Sequence, residues 1–243
     1  GRLTVMVETV GVPLESLFAG LEDVDPRSTL GSGDVKYHMG ATGVHRRPEG
    51  GEVRVHLASN PSHLEAVNPV LTGRVRARQT RLGDEEGRRV VPICLHGDAA
   101  FAGQGITSET LNMADLPGYD VGGTVHVIVN NLIGFTAEPV ALHSSRYSSD
   151  AAKRLEIPIL HVNGEDLDAI ERAGRIAMEY RQRFNDDVLI DLIAYRRYGH
   201  SEVEDPTTTS PQLYASIKPR GLLYEQVAEQ WQVDSDDLDR RRK

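Results

Sequence analysis

A single cysteine, Cys94, stands among the 243 residues of this chain. That scarcity excludes a disulfide scaffold and any metal site built on cysteine pairs, and it suits a reducing cytosol. No apolar run approaches the ~20 residues that a membrane-spanning helix needs. The opening Gly1-Arg2-Leu3-Thr4 has neither signal-peptide anatomy nor an initiator Met, so we expect a piece excised from a longer chain. A basic surplus is missing too: 27 Lys and Arg against 36 Asp and Glu leave a net charge of −9. Such a balance excludes a broad surface for a phosphate backbone, and we expect no nucleic-acid and no membrane partner. The nine histidines show no HExxH or similar spacing, whether His56 is paired with His63 or His38 with His45. With no cysteine partners, that argues against structural zinc. Cys94, His96, His126 and His161 read as buried or hydrogen-bonded strand residues.

What is present is an alternation of strand and helix signals from about residue 53 onward. Candidate strands cover 53–58, 90–96, 124–130, 157–162 and 188–195. Several are apolar on both faces, as in Val125-His126-Val127-Ile128-Val129, a pattern of parallel strands covered on both sides. Between the last two, Leu167, Ile170, Gly174, Ala177, Tyr180 and Phe184 recur at helical spacing behind Asp166, a candidate N-cap. The predicted fold class is therefore α/β, an open and mostly parallel sheet with helices on both faces. Residues 1–50 read as a loop-rich lead-in with one short helix at Leu14–Leu21 and turns at Asp25-Pro26 and Gly31-Ser32-Gly33-Asp34. Residues 51–220 form the predicted α/β domain. Residues 221–243 are a helix or linker, with a helical pattern over 222–231 after a polar loop at 201–211, and the closing basic residues mark a helix end.

Chemistry concentrates at two strand ends. One candidate strand is followed by Gly97-Asp98-Ala99-Ala100 and the Gly-rich turn Phe101-Ala102-Gly103-Gln104-Gly105, expected to open a helix. The next ends in Asn130-Asn131-Leu132-Ile133-Gly134. A carboxylate and an amide thus leave neighbouring positions at the carboxyl edge of one sheet, beside glycines and a helix start that attract phosphate. An Asp, an Asn oxygen and a backbone carbonyl make a hard oxygen set suited to Mg²⁺.

Gly-Asp followed after about thirty residues by Asn-Asn resembles the thiamine-diphosphate motif, with Ala99 where Gly is usual. Flanking segments narrow the resemblance. Gly33-Asp34-Val35-Lys36-Tyr37-His38-Met39-Gly40, Ser59-Asn60-Pro61-Ser62-His63-Leu64-Glu65-Ala66-Val67, His96-Gly97-Asp98-Ala99-Ala100 and Gly199-His200 are similar to the 2-oxoglutarate dehydrogenase family. The likeness runs from residue 1 to about residue 220. The stretch from Asp23 to Ser32 is similar to its actinobacterial branch, often fused to an acyltransferase domain.

The resemblance implies a thiamine-diphosphate-binding fold, with thiamine diphosphate and Mg²⁺ as cofactors. It makes Asp98, the Asn131 side chain and the Ile133 carbonyl the metal ligands. Ser62, Leu64, Ala99 and Ala100 become further cofactor contacts. His38 is expected to face 2-oxoglutarate, with His200 a second active-site histidine. The implied activity is oxidative decarboxylation of 2-oxoglutarate in the tricarboxylic acid cycle, with the succinyl group passed to a lipoyl-carrying succinyltransferase. A homodimer partner would supply the pyrimidine-binding domain, in a bacterial cytoplasm. An active-site histidine just upstream of Gly1 and the activating glutamate lie outside this chain, so the chain alone is expected to be inactive. Two departures stand out: Leu132 replaces the family's usual Gln, and Val203 replaces a Gly in the loop after His200. They keep open a decarboxylase of another 2-oxo acid, while a non-catalytic phosphate-binding α/β module is the reading from a different class.

Overall fold

The computed structural model describes residues 2–21, 38–59, 62–135, 137–201 and 203–234. Two compact units emerge, Gly1–Arg74 and Val75–Lys243. The expected turns at Asp25-Pro26 and Gly31–Asp34, residues Lys36 and Asn60, and the basic chain end lie outside the described residues.

In the first unit, a helical turn at Arg2–Thr4 runs into a π-helix at Val5–Thr9, followed by the expected helix at Leu14–Leu21. Met6, Val10 and Leu17 are buried. The lead-in is therefore less loop-like than its Gly, Pro and charge content suggests, because these three apolar side chains have a core to enter. It also holds a strand, β1 (Ala41–Arg46), that sequence reading left out. β1 pairs antiparallel with β2 (Glu52–Leu57), from Ala41 opposite Leu57 to Arg46 opposite Glu52. β2 is the candidate strand 53–58, and it belongs to this hairpin rather than to the parallel sheet. Alternation identifies a strand but not its partner. Gly43 is required where it stands: a Cβ there would lie 1.8 Å from the Val10 carbonyl oxygen.

The second unit is built on four parallel strands in the order β3 (Ile93–Gly97), β4 (Val125–Asn130), β6 (Val188–Ile193), β5 (Ile159–Asn163). This is the predicted open α/β sheet. One apolar cluster joins Val125, Val162, Val188 and Ile190 to Ala173 and Ala177 of the Leu167–Phe184 helix. A second joins Ile128 and Leu189 to Phe101, Leu111 and Ala152. The sheet is thus covered on both faces, which is why Val188 through Asp191 are all buried. In the described residues, no helix is long and apolar enough to cross a membrane.

Local chemistry explains the helix limits. Asp166 takes an extended N-cap conformation and its carboxylate accepts the Ala169 N–H at 2.9 Å. Asn185, in the left-handed region at φ 53°, ends the same helix through an N–H donated to the Arg181 carbonyl. Arg181 itself is wholly buried and donates to the carbonyls of Gly123 and Val121, both at 3.0 Å, tying the helix to the entry of β4. Asp166→Ala should cost about 1 kcal/mol and lower the melting temperature by roughly 2–4 °C. Thermal denaturation checks this, and an unchanged midpoint would remove the cap from the account.

Two sequence expectations are corrected here. The helix following β3 starts at Asp98, not after the Gly-rich turn: Asp98–Gly103 is helical, and Gln104 is an extended break before Gly105–Asn112. The loop expected over 201–211 contains the helix Pro206–Thr209, capped by Asp205, and leads straight into Pro211–Ile217. In each case Pro occupies the first helical turn, where its missing N–H costs nothing. The helical pattern over 222–231 forms Leu223–Trp231.

Candidate functional site

The parallel register pairs Gly97 with Val129, so Asp98 and Asn130 leave the sheet side by side at its carboxyl edge. Asp98 opens a helix directly from the strand, with Gly97 extended at φ −86°, ψ 146°. Its side chain is 4% exposed. Burial pushes the Asp98 carboxyl above the ordinary carboxylate range. Backbone N–H groups of Asp98, Ala99 and Asn131 pull it back, and the charge of Asp191 raises it again.

Beyond β4 the chain makes a turn stapled by its own amides. The Asn130 side-chain oxygen accepts the Leu132 N–H at 3.1 Å, and the Asn131 oxygen accepts the Ile133 N–H at 3.2 Å. Asn and Asp favour such side-chain turns. Leu132 sits in the left-handed region at φ 58°, and Phe135 at φ 55°. Gly134 and Ala137 exchange hydrogen bonds of 3.0 and 2.8 Å, closing the turn. A Cβ on Gly134 would come within 3.0 Å of the Ala99 Cβ, so the turn lies against the first residues of the Asp98 helix. Asp98 and the Asn131 backbone N–H are thereby brought together, and Ile133 lies in the same turn.

The donor set fits a hard divalent cation. A buried carboxylate, an amide oxygen with a second lone pair and a backbone carbonyl offer oxygen only. Among the described residues, a charged neighbour that bears on Asp98 is another carboxylate, Asp191. Ala99 and Ala100 follow in the same helical turn, half-buried.

His200 reaches the same turn. Its ring meets Phe135 edge-on with centroids 5.1 Å apart, and its backbone N–H donates to the Glu204 carboxylate at 2.7 Å. Arg196 donates to the Phe135 carbonyl at 3.1 Å. The departure at Val203 leaves a tight loop, since a Cβ on Gly199 would lie 2.4 Å from the Glu204 carbonyl. Within that loop Val203 is 92% exposed. In the first unit, His38 Nε2 is hydrogen-bonded to the Ser62 hydroxyl, and Leu64 is exposed. Beside them Glu65 is buried at φ 68° and accepts from Asn68 at 2.6 Å.

Sequence reading missed a polar group beneath the turn. Asp191 lies in the middle of β6, fully buried, and accepts from Asn130 and Ser149, with His161 Nδ1 3.2 Å from its carboxylate. The available signal was a carboxylate inside a strand otherwise apolar on both faces. The buried histidines of β3 and β4 are accounted for as hydrogen-bonded residues. His126 bridges His96 at 3.0 Å and Asp187 at 3.2 Å, with Cys94 beside them.

Residues 5–223 match the family model described as "Dehydrogenase E1 component". The chain is 51% identical over 232 residues to the "2-oxoglutarate dehydrogenase E1/E2 component" of Corynebacterium glutamicum, covering 94% of this chain and 19% of that protein. It is 52% identical over 222 residues to the "Multifunctional 2-oxoglutarate metabolism enzyme" of Mycobacterium sp. (strain JLS), covering 89% and 18%. The chain therefore spans about a fifth of the length of these relatives. A family match over most of its residues, joined to a buried carboxylate and an Asn-Asn turn at one sheet edge, makes this chain a member of the dehydrogenase E1 component family, which depends on thiamine diphosphate.

Proposed function

We propose that this chain is the diphosphate- and Mg²⁺-holding part of a multidomain enzyme that decarboxylates 2-oxoglutarate. One observation carries it: the buried Asp98 carboxylate, fixed by the N–H groups of Ala99 and Asn131, next to the turn that carries Asn131 and Ile133. When bound, thiamine diphosphate supplies the electron sink that a 2-oxo acid needs to lose carbon dioxide. Asp98, the Asn131 side chain and the Ile133 carbonyl hold the metal, and Ser62, Leu64, Ala99 and Ala100 contact the cofactor. His38 and His200 handle the substrate. Imidazole is the side chain able to hold or give a proton to a developing alkoxide near neutral pH.

The wider setting follows the same reading: a bacterial cytoplasm, a homodimer whose partner brings the pyrimidine-binding domain, and a lipoyl-carrying succinyltransferase, in the tricarboxylic acid cycle. The "E1/E2" of one relative's name supports the last partner. Leu132, half-buried at the turn, favours a second reading in which the acid is a different 2-oxo acid.

Thiamine diphosphate titrated into the longer protein at several Mg²⁺ concentrations tests the first step. Absence of metal-dependent binding would leave only a non-catalytic module. A panel of 2-oxo acids then decides the substrate. His38→Ala should lower turnover of 2-oxoglutarate about 10²-fold or more, the usual worth of a positioned proton donor. Cofactor affinity should stay within about threefold. An equal loss of cofactor affinity would instead assign His38, through Ser62, to the cofactor contacts.

A further inference from the structure

Beneath the turn that carries Asn131 and Ile133 lies a carboxylate that is not among the proposed ligands and contacts. Asp191 is wholly buried in β6, the strand next to β4, and the register sets it opposite Ile128 and His161. A charge there costs several kcal/mol unless its lone pairs are satisfied. Two hydrogen bonds meet them, and an imidazole lies close by. Asn130 donates its side-chain N–H to Asp191 Oδ1 at 3.0 Å. Ser149, in the 3₁₀ segment Ser148–Arg154, donates its hydroxyl to Oδ2 at 2.6 Å. His161 of β5 places Nδ1 3.2 Å from the same oxygen.

These contacts fix the rotation of the Asn130 amide. With its N–H₂ turned to Asp191, its oxygen is left facing the Leu132 N–H, which it accepts at 3.1 Å. That hydrogen bond holds Leu132 at φ 58°, a conformation a non-glycine residue occupies only when its surroundings impose it. The next peptide unit presents Ile133, and the Asn131 oxygen is engaged by the Ile133 N–H. A continuous path thus runs from Asp191 through the Asn130 amide to the turn bearing two of the three proposed metal ligands.

We propose that Asp191 is a positioning residue for the metal–diphosphate site, acting through the Asn130 amide to set the Asn131–Ile133 turn. It touches neither cofactor nor substrate. The inference rests on the proposed Mg²⁺ and thiamine diphosphate site for its consequence, but the path to the turn is independent of that site.

The test compares Asp191→Leu, Asp191→Asn, Asn130→Ala and the Asp191→Leu/Asn130→Ala double variant in the full-length protein. Two readouts are used: Mg²⁺-dependent thiamine diphosphate affinity, and hydrogen exchange at the Leu132 and Ile133 amides without cofactor. Asp191→Leu should weaken cofactor binding about 10–100-fold, the usual loss when a group that orients a metal ligand is removed. It should also speed exchange of the Leu132 amide. Asp191→Asn keeps an acceptor for Asn130 and should bind within about threefold of wild type. Asn130→Ala should match Asp191→Leu, and the double variant should be no worse than either, because both cut one path.

Wild-type affinity and exchange in Asp191→Leu would overturn the proposal. So would losses that add in the double variant, or an Asp191→Asn as weak as Asp191→Leu, which would make charge rather than hydrogen bonding the cause. If Asp191→Leu does not fold, Asp191→Asn and Asn130→Ala decide alone. If wild type binds no thiamine diphosphate, the functional reading fails, and amide exchange still decides whether Asp191 sets the turn.

Discussion

Asp98→Asn, in the longer protein carrying this chain, should abolish decarboxylation and weaken Mg²⁺-dependent thiamine diphosphate binding at least about a hundredfold. The substitution keeps size and most hydrogen bonding, since an amide oxygen can still accept from the N–H groups of Ala99 and Asn131. It removes the only charged member of the set Asp98, Asn131, Ile133. Mg²⁺ gives up water reluctantly and leans on carboxylate charge to do so. Loss of a group that merely orients a ligand costs 10–100-fold, so loss of the charged ligand itself should cost no less. The fold should survive and even gain slightly, because the buried carboxylate is held above its ordinary pKa by desolvation and by Asp191. Cofactor titrations over a range of Mg²⁺, run beside thermal melts, separate the two effects. Wild-type affinity with unchanged metal dependence would show that Asp98 is not a ligand.

Much of the sheet was legible in the sequence because burial on both faces leaves a continuous apolar run, and β4 and β6 carry such runs. Asp166 and the helix it caps were legible for an equally local reason: the cap and the apolar spacing lie within one stretch of chain. Pairing was not legible. β2 alternates like any strand, and nothing in Val53-Arg54-Val55-His56 says that its partner is a hairpin strand holding Gly43 against Val10. The Val67–Leu82 helix also escaped, because Arg74, Arg76, Arg78 and Arg81 spread charge along it and blur the apolar stripe.

The site divides in the same way. Asp98 and Asn131 stood out because their spacing between strands is a pattern in one dimension. Asp191 did not, since its partners Asn130, Ser149 and His161 come from three other segments and meet only after the sheet has formed. A lone carboxylate in an apolar strand was the trace it left.

Gly134→Val should also weaken cofactor binding, for a steric rather than an electrostatic reason. A Cβ at this position would lie 2.3 Å from Leu142 Cδ2 and 3.0 Å from the Ala99 Cβ. The Leu142 contact is the far end of a flexible side chain and can yield; the Ala99 Cβ, fixed to a helix beginning at Asp98, cannot yield as far. Gly134 is itself pinned by its paired hydrogen bonds with Ala137. Added bulk therefore pushes the turn that carries Ile133 off the helix that begins at Asp98. Overpacking of this kind costs about 1–3 kcal/mol, or roughly 5–150-fold in affinity if it falls on the bound geometry. Gly134→Ala carries the same Cβ and should already show part of the loss, with valine adding to it. Leu142→Ala should restore little of it in the valine variant, because the contact with the Ala99 Cβ remains. Magnesium-dependent thiamine diphosphate affinity is the measurement, with a thermal melt to show that the sheet is intact. If Gly134→Val binds the cofactor as wild type does, the contact of the turn with Ala99 does not set the metal geometry, and Ile133 loses its place as a ligand.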